Sequence, residues 1–145
     1  MRRLWSVIAV LSVLAPQIAR LNRGPWRSLE NAVRRLVTHL GSAYVIAGPY
    51  YDNSEEPMPL LPGADESHRV PNGYWMIVYS DDAESPEVCA FSVPQRLPDS
   101  YTAEQFITTV DAVEALTGLD FLSLLDDETE AAVESMPGDE WFAVW

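Results

Sequence analysis

With 145 residues, 48% of them apolar, and five Trp, six Tyr and four Phe, the chain can bury a single core, which excludes an unfolded polymer. A formal net charge of −13 keeps it soluble and repels nucleic acid at long range. One cysteine excludes an internal disulfide, and one cysteine with two histidines excludes the usual zinc cluster.

The charge is unevenly spread. Residues 1–40 hold seven of the nine Arg and one acid, Glu30, whereas residues 41–145 hold two Arg and twenty-one acids, and there is no Lys. An Arg-only basic segment suits phosphates, because the guanidinium fork binds oxyanions through two bonds. Charge alone reads first as an ordinary Arg-rich helix face.

The opening run MRRLWSVIAVLSVLA, two Arg followed by apolar residues, is built like a secretory signal and is too short to span a bilayer. Pro16 directly after Ala15 makes a poor cleavage site, so a buried helix or strand is the rival reading. Residues 1–15 are therefore set apart as an apolar segment, with secretion expected if it acts as a signal. Residues 16–145 are read as one domain.

RGPWRSLENAVRRLVTHLG predicts a helix, with Pro25 in its first turn and Gly41 at its end. Trp26, Leu29, Val33, Leu36, Val37 and Leu40 recur at three- and four-residue steps as its core stripe. Glu30 and Arg34 fall four apart on the other face. AYVIAGPYY predicts a strand broken at Gly48-Pro49. A polar, Pro-rich loop follows, and then two strands, YWMIVYS and EVCAFSVPQ, joined by the acidic turn DDAESP. Cys89 is expected to be buried in the second of these. TTVDAVEALTGL predicts a helix with a Thr108–Asp111 capping box and Gly118 as its C-terminal cap. DDETEAAVES predicts another, stopped by Pro137-Gly138, and the apolar tail EWFAVW is expected to dock on its own domain or on a partner. The order of elements gives an α+β plan.

LSVLAPQIARLNRGPWRSLE resembles the core of the DNA/RNA non-specific endonucleases, the sugar-non-specific nucleases with a ββα-metal fold. YVIAGPYY, HRVPNGYWMIVY, AFSVPQ, TTVDAVEALTGLDF and LLDDETEAAVES follow in the family's order at compatible spacing, so the likeness covers about residues 11 to 138. It implies part of that fold: an antiparallel sheet, the metal-site helix packed on it, and C-terminal helices. It also implies one divalent cation, Mg2+, held by a single Asn and otherwise by waters, with no small-molecule cofactor. Asn22 matches that Asn, Glu30 the acid that orients the cation's water shell, and Arg34 an Arg on phosphate. Arg23 and Arg27 are expected to bind phosphate as well. On the residues alone, Asn22 reads as a polar residue ending a loop, and Glu30–Arg34 as a surface pair of a few tenths of a kcal/mol. Phosphate attraction would come from Arg20, Arg23, Arg27, Arg34 and Arg35, which predicts weak, salt-sensitive binding of nucleic-acid backbone without base specificity.

The departures are as informative. The family's general base is the His of an Asp-Arg-Gly-His motif, which does not occur in this sequence. Some ten residues precede the resembling region, too few for the hairpin that carries it. Val13 stands where the family has an Asn. His39 lies nine residues past Glu30, on the order of 13 Å along a helix, and His68 sits in a polar loop, so neither is expected to serve. A truncated or split nuclease without turnover of its own is the first expectation. A non-catalytic, acidic protein-interaction module is the alternative. Either leaves a sheet edge to be covered by the N-terminal apolar run, a second copy of the chain or a protein partner.

Overall fold

The computed structural model describes residues 15–60, 63, 69–80 and 87–138. Residues 1–14 of the N-terminal apolar run, Val13 among them, His68, the 81–86 turn and the 140–145 tail lie outside them.

The predicted first helix is two helices meeting at a kink. A single turn, α1 (Ala19–Leu21), runs into a wider π-wound stretch, Asn22–Trp26, and only then into α2 (Arg27–Leu40). Pro25 explains the break: it has no N–H to give, and its ring disfavours helical geometry in the residue before it. Gly24 accordingly leaves the helical region, at φ −101°, ψ −113°. A side chain there would meet Tyr101, whose Oη lies 2.8 Å from where a Cβ would stand. Along α2, Leu29, Ala32 and Leu36 are buried with Trp26, and Val33 and Val37 partly so. Leu40, the last member of the expected stripe, is 37% exposed. Gly41, at φ 88°, closes the helix by donating to Val37 O at 2.9 Å.

Among the described residues four antiparallel strands pair in chain order: β1 (Tyr44–Tyr50), β2 (Gly73–Ser80), β3 (Glu87–Pro94) and the short β4 (Ile107–Thr108). The β1–β2 ladder runs unbroken from Tyr44↔Tyr79 to Tyr50↔Gly73, so Gly48-Pro49 does not interrupt the strand. Among the described residues β1 is an edge strand, where a proline is tolerated. Gly48 leaves room for the Trp75 ring, which lies 2.8 Å from where its Cβ would be. Trp75 Nε1 then donates to Pro49 O at 3.2 Å.

β2 is buried along its whole length because both faces of the sheet are covered. Tyr74, Met76 and Val78, with Cys89, Phe91 and Val93 of β3, pack against Leu21, Trp26, Leu29 and Leu36. Trp75, Ile77 and Tyr79, with Val88 and Ala90, pack against Val110, Val113, Phe121 and Val133, on and around α3 (Val110–Thr117) and α4 (Asp127–Glu134). Side chains alternating along each strand thus feed two cores, in an α+β layering of helices, sheet and helices.

The cap of α3 differs from expectation. Thr108 pairs with Ala90 in the sheet, and Thr109 caps the helix, its Oγ1 accepting from Ala112 N at 3.1 Å. Gly118 does end α3, at φ 72°. A capping box forms elsewhere, between Thr102 and Gln105. Asp126 caps α4 by accepting from Thr129 N at 3.1 Å.

Candidate metal and phosphate site

The segment leading to Asn22 is fixed to one end of the sheet by buried polar groups. Gln95, fully buried just after β3, accepts from Ile18 N at 2.7 Å through Oε1. Its Nε2 donates to Pro16 O at 2.9 Å and Pro71 O at 3.0 Å. Tyr74 Oη donates to Ala15 O at 2.6 Å, and burial holds that phenol well above its ordinary pKa, so it keeps the proton it donates. Arg20 reaches three backbone carbonyls, Leu97 O at 3.1 Å, Pro98 O at 2.6 Å and Asp99 O at 3.3 Å. This is a correction to its expected place among the phosphate-binding arginines. Its guanidinium instead clamps the loop after β3.

On this base Asn22 is exposed, and its backbone N donates to Ile18 O at 3.0 Å. The side-chain Nδ2 donates to Gln17 Oε1 at 2.6 Å. With Nδ2 committed, Oδ1 lies on the side of the amide away from Gln17. Gln17 Nε2 is buried and has no partner among the described residues. Past the kink, Glu30 is half-buried in the first turn of α2, with Arg34 exposed one turn on. Arg34 Nη1 points to Asn31 Oδ1 at 3.4 Å, a long contact within the same helix. Arg23 and Arg27 are both exposed, the first in the π-wound stretch and the second opening α2. His39 is near the end of α2, on the order of 13 Å along the axis from Glu30.

Asn22, Glu30 and Arg34 therefore sit on one kinked helical unit held against one face of the sheet. One amide oxygen with a carboxylate nearby in sequence is a donor set suited to a hard cation that keeps most of its waters. Gln17, Arg20, Gln95 and Tyr101 support the unit and carried no signal in helix or strand periodicity. Gln95 stood only inside the AFSVPQ likeness.

A family model described as DNA/RNA non-specific endonuclease matches residues 10–128. The chain belongs to the DNA/RNA non-specific endonuclease family. It is 35% identical over 139 residues to a nuclease of Serratia marcescens, covering 92% of this chain and 50% of that protein. It is 28% identical over 135 residues to a nuclease of Nostoc sp., covering 87% and 47%. It is also 28% identical over 125 residues to the mitochondrial nuclease 1 of Schizosaccharomyces pombe, covering 78% and 39%. The chain thus spans about half the length, or less, of these family members. Among solved structures it is similar to one described as the EndoG/EndoGI complex and the mechanism of EndoG inhibition. The TM-score is 0.64 at 22% identity, over 77% of this chain and 49% of that one. The endonuclease-family fold is thereby established for the α+β core.

Proposed function

We propose that this chain supplies the cation- and phosphate-holding half of a Mg2+-dependent hydrolase of nucleic-acid phosphodiesters, and that it has negligible turnover alone. The observation that carries this reading is the Asn22 amide, held by Gln17 so that its ligating oxygen is turned away from its own anchor. Asn22 Oδ1 would hold the cation, Glu30 would accept hydrogen bonds from the cation's waters, and Arg34, Arg23 and Arg27 would contact phosphates. When bound, the cation neutralises charge building on the phosphate and on the leaving oxygen. The proton acceptor is the missing part. Among the described residues the one histidine is His39, out of reach of Glu30's surroundings. A general base contributes about 10²–10⁴-fold, which would come from a second segment or polypeptide. β1, an edge among the described residues, is where such a partner or a second copy would add a strand.

Three Arg on phosphates imply weak duplex binding, with a log–log salt slope of about −2.7. Arg34→Ala is expected to reduce that slope by about one phosphate's worth. The metal assignment is tested by Mn2+ titration read by electron paramagnetic resonance. Asn22→Ala is expected to lose one bound equivalent or weaken it at least tenfold. An isotherm unchanged by Asn22→Ala overturns the assignment in favour of the non-catalytic, acidic interaction module.

A further inference from the structure

A second group of oxygens lies across the sheet from Asn22. Asp111 and Glu114 are three apart on α3, and Glu130 and Glu134 four apart on α4, so each pair shares a helix face. Asp120 comes from the loop between these helices. One carboxylate oxygen each from Asp111, Glu114 and Glu134 lie within 4.8 Å of one another, and so do those of Asp120, Glu130 and Glu134. Glu134 belongs to both sets. It is only 8% exposed, and its Oε1 is buried without a hydrogen-bond partner among the described residues.

No basic side chain is described beside it. Beyond residue 40 the chain has two Arg. Arg69 is engaged by Asn53 and Tyr51, and Arg96 by Glu56 and Pro57. Arg2, Arg3 and His68 lie outside the described residues. A buried carboxylate facing four others needs a proton or a cation.

We propose that Glu134 and its neighbours Asp111, Glu114, Asp120 and Glu130 form a Ca2+ site, separate from Asn22, that ties α3 to α4. Oxygens bound to one Ca2+ at about 2.4 Å can stand up to about 4.8 Å apart, so the oxygens of either triad are close enough together to share one ion. Carboxylates from two helices and a loop suit the irregular, high-coordination shell of Ca2+ better than the strict octahedron of Mg2+. Phe121 N donates to Glu114 Oε1 at 2.7 Å, which fixes that carboxylate. Phe121 also packs edge-on against Trp75, ring centres 5.0 Å apart, and so brings an indole close enough to report on a bound lanthanide.

The full chain is titrated with Tb3+ as a Ca2+ stand-in, with emission excited through tryptophan, and its unfolding midpoint is measured with Ca2+ and with chelator. Wild type is expected to show sensitised emission that Ca2+ competes away, and a midpoint several degrees higher in Ca2+. Glu134→Gln is expected to weaken Tb3+ binding at least tenfold and abolish the Ca2+ shift, while Asp99→Asn, at an exposed carboxylate outside both triads, leaves both intact. If Glu134→Gln does not fold, the exposed pair Asp111→Asn with Asp120→Asn replaces it, with the same expected loss of Tb3+ affinity. No Ca2+ shift in wild type, or an equal shift and equal emission in the carboxylate variants, overturns the site. An equal loss of signal in Asp99→Asn would also overturn it, by showing that the binding follows net charge and not these carboxylates.

Discussion

Gln95→Met would remove the three hydrogen bonds that hold the segment before Asn22 while keeping most of the side-chain volume. Two of the groups released, Ile18 N–H and Pro16 C=O, belong to residues partly open to solvent and can recruit water; the third, Pro71 C=O, belongs to a buried residue. At about 0.5–1.5 kcal/mol net per bond, with a further penalty for a carbonyl left unpaired, the loss should be about 2–4 kcal/mol. For a chain of this size that is a midpoint roughly 7–13 °C lower. Urea unfolding followed by tryptophan fluorescence should show a lower midpoint concentration at an unchanged slope. Gln95→Ala should lose more, because it adds a cavity. Gln95→Glu keeps the acceptor for Ile18 N but sets a carboxylate against two carbonyls, so it should be the variant most improved by acid. A Gln95→Met loss below about 0.5 kcal/mol would refute the view that this amide fastens the metal-site segment.

Three other outcomes are expected. Burial pushes the Tyr50 phenol up to about 12, above the ordinary 10.0, with Glu55 and Asp52 adding to the shift and a Ser92 hydrogen bond opposing it. Between pH 10 and 12 the unfolded chain would therefore release this proton while the folded one keeps it. Stability should fall across that window, with a smaller fall in Tyr50→Phe, as read by unfolding midpoints and phenolate absorbance. Gly24→Ala should cost about 1–3 kcal/mol through its approach to Tyr101 Oη, part of which Tyr101→Phe should restore in a double-mutant cycle. Thr109→Ala should cost about 1 kcal/mol as a lost helix cap, measured by thermal unfolding.

Short apolar runs bounded by turn residues, YWMIVYS and EVCAFSV, made β2 and β3 legible, and the apolar spacing from Trp26 to Leu36 revealed the inner face of α2. The Gly48-Pro49 break was misread because a sequence does not show that its strand lies at an edge, where a missing donor is harmless. Thr108 was taken for the cap because the choice between two adjacent threonines is made by β4 pairing, a contact eighteen residues away at Ala90. Gly24-Pro25 did mark a discontinuity, but it reads the same for a helix start and for a kink within a longer helical run. Asn22 and Glu30 were singled out by family likeness. Gln95 could not be found from local pattern at all, since its partners at Pro16 and Ile18 lie 79 and 77 residues away.

The sheet also works as a partition between unlike charges. Arg23, Arg27 and Arg34 ride on the helical layer of one side, and the carboxylates of α3 and α4 on the other. Among the described residues this division sets a dipole across the sheet. Near a polyanion such as a nucleic-acid strand the molecule would experience a torque as well as a force, turning its arginine side inward before contact. Orientation on approach would then be selected by the fold itself, even though the net charge opposes the approach.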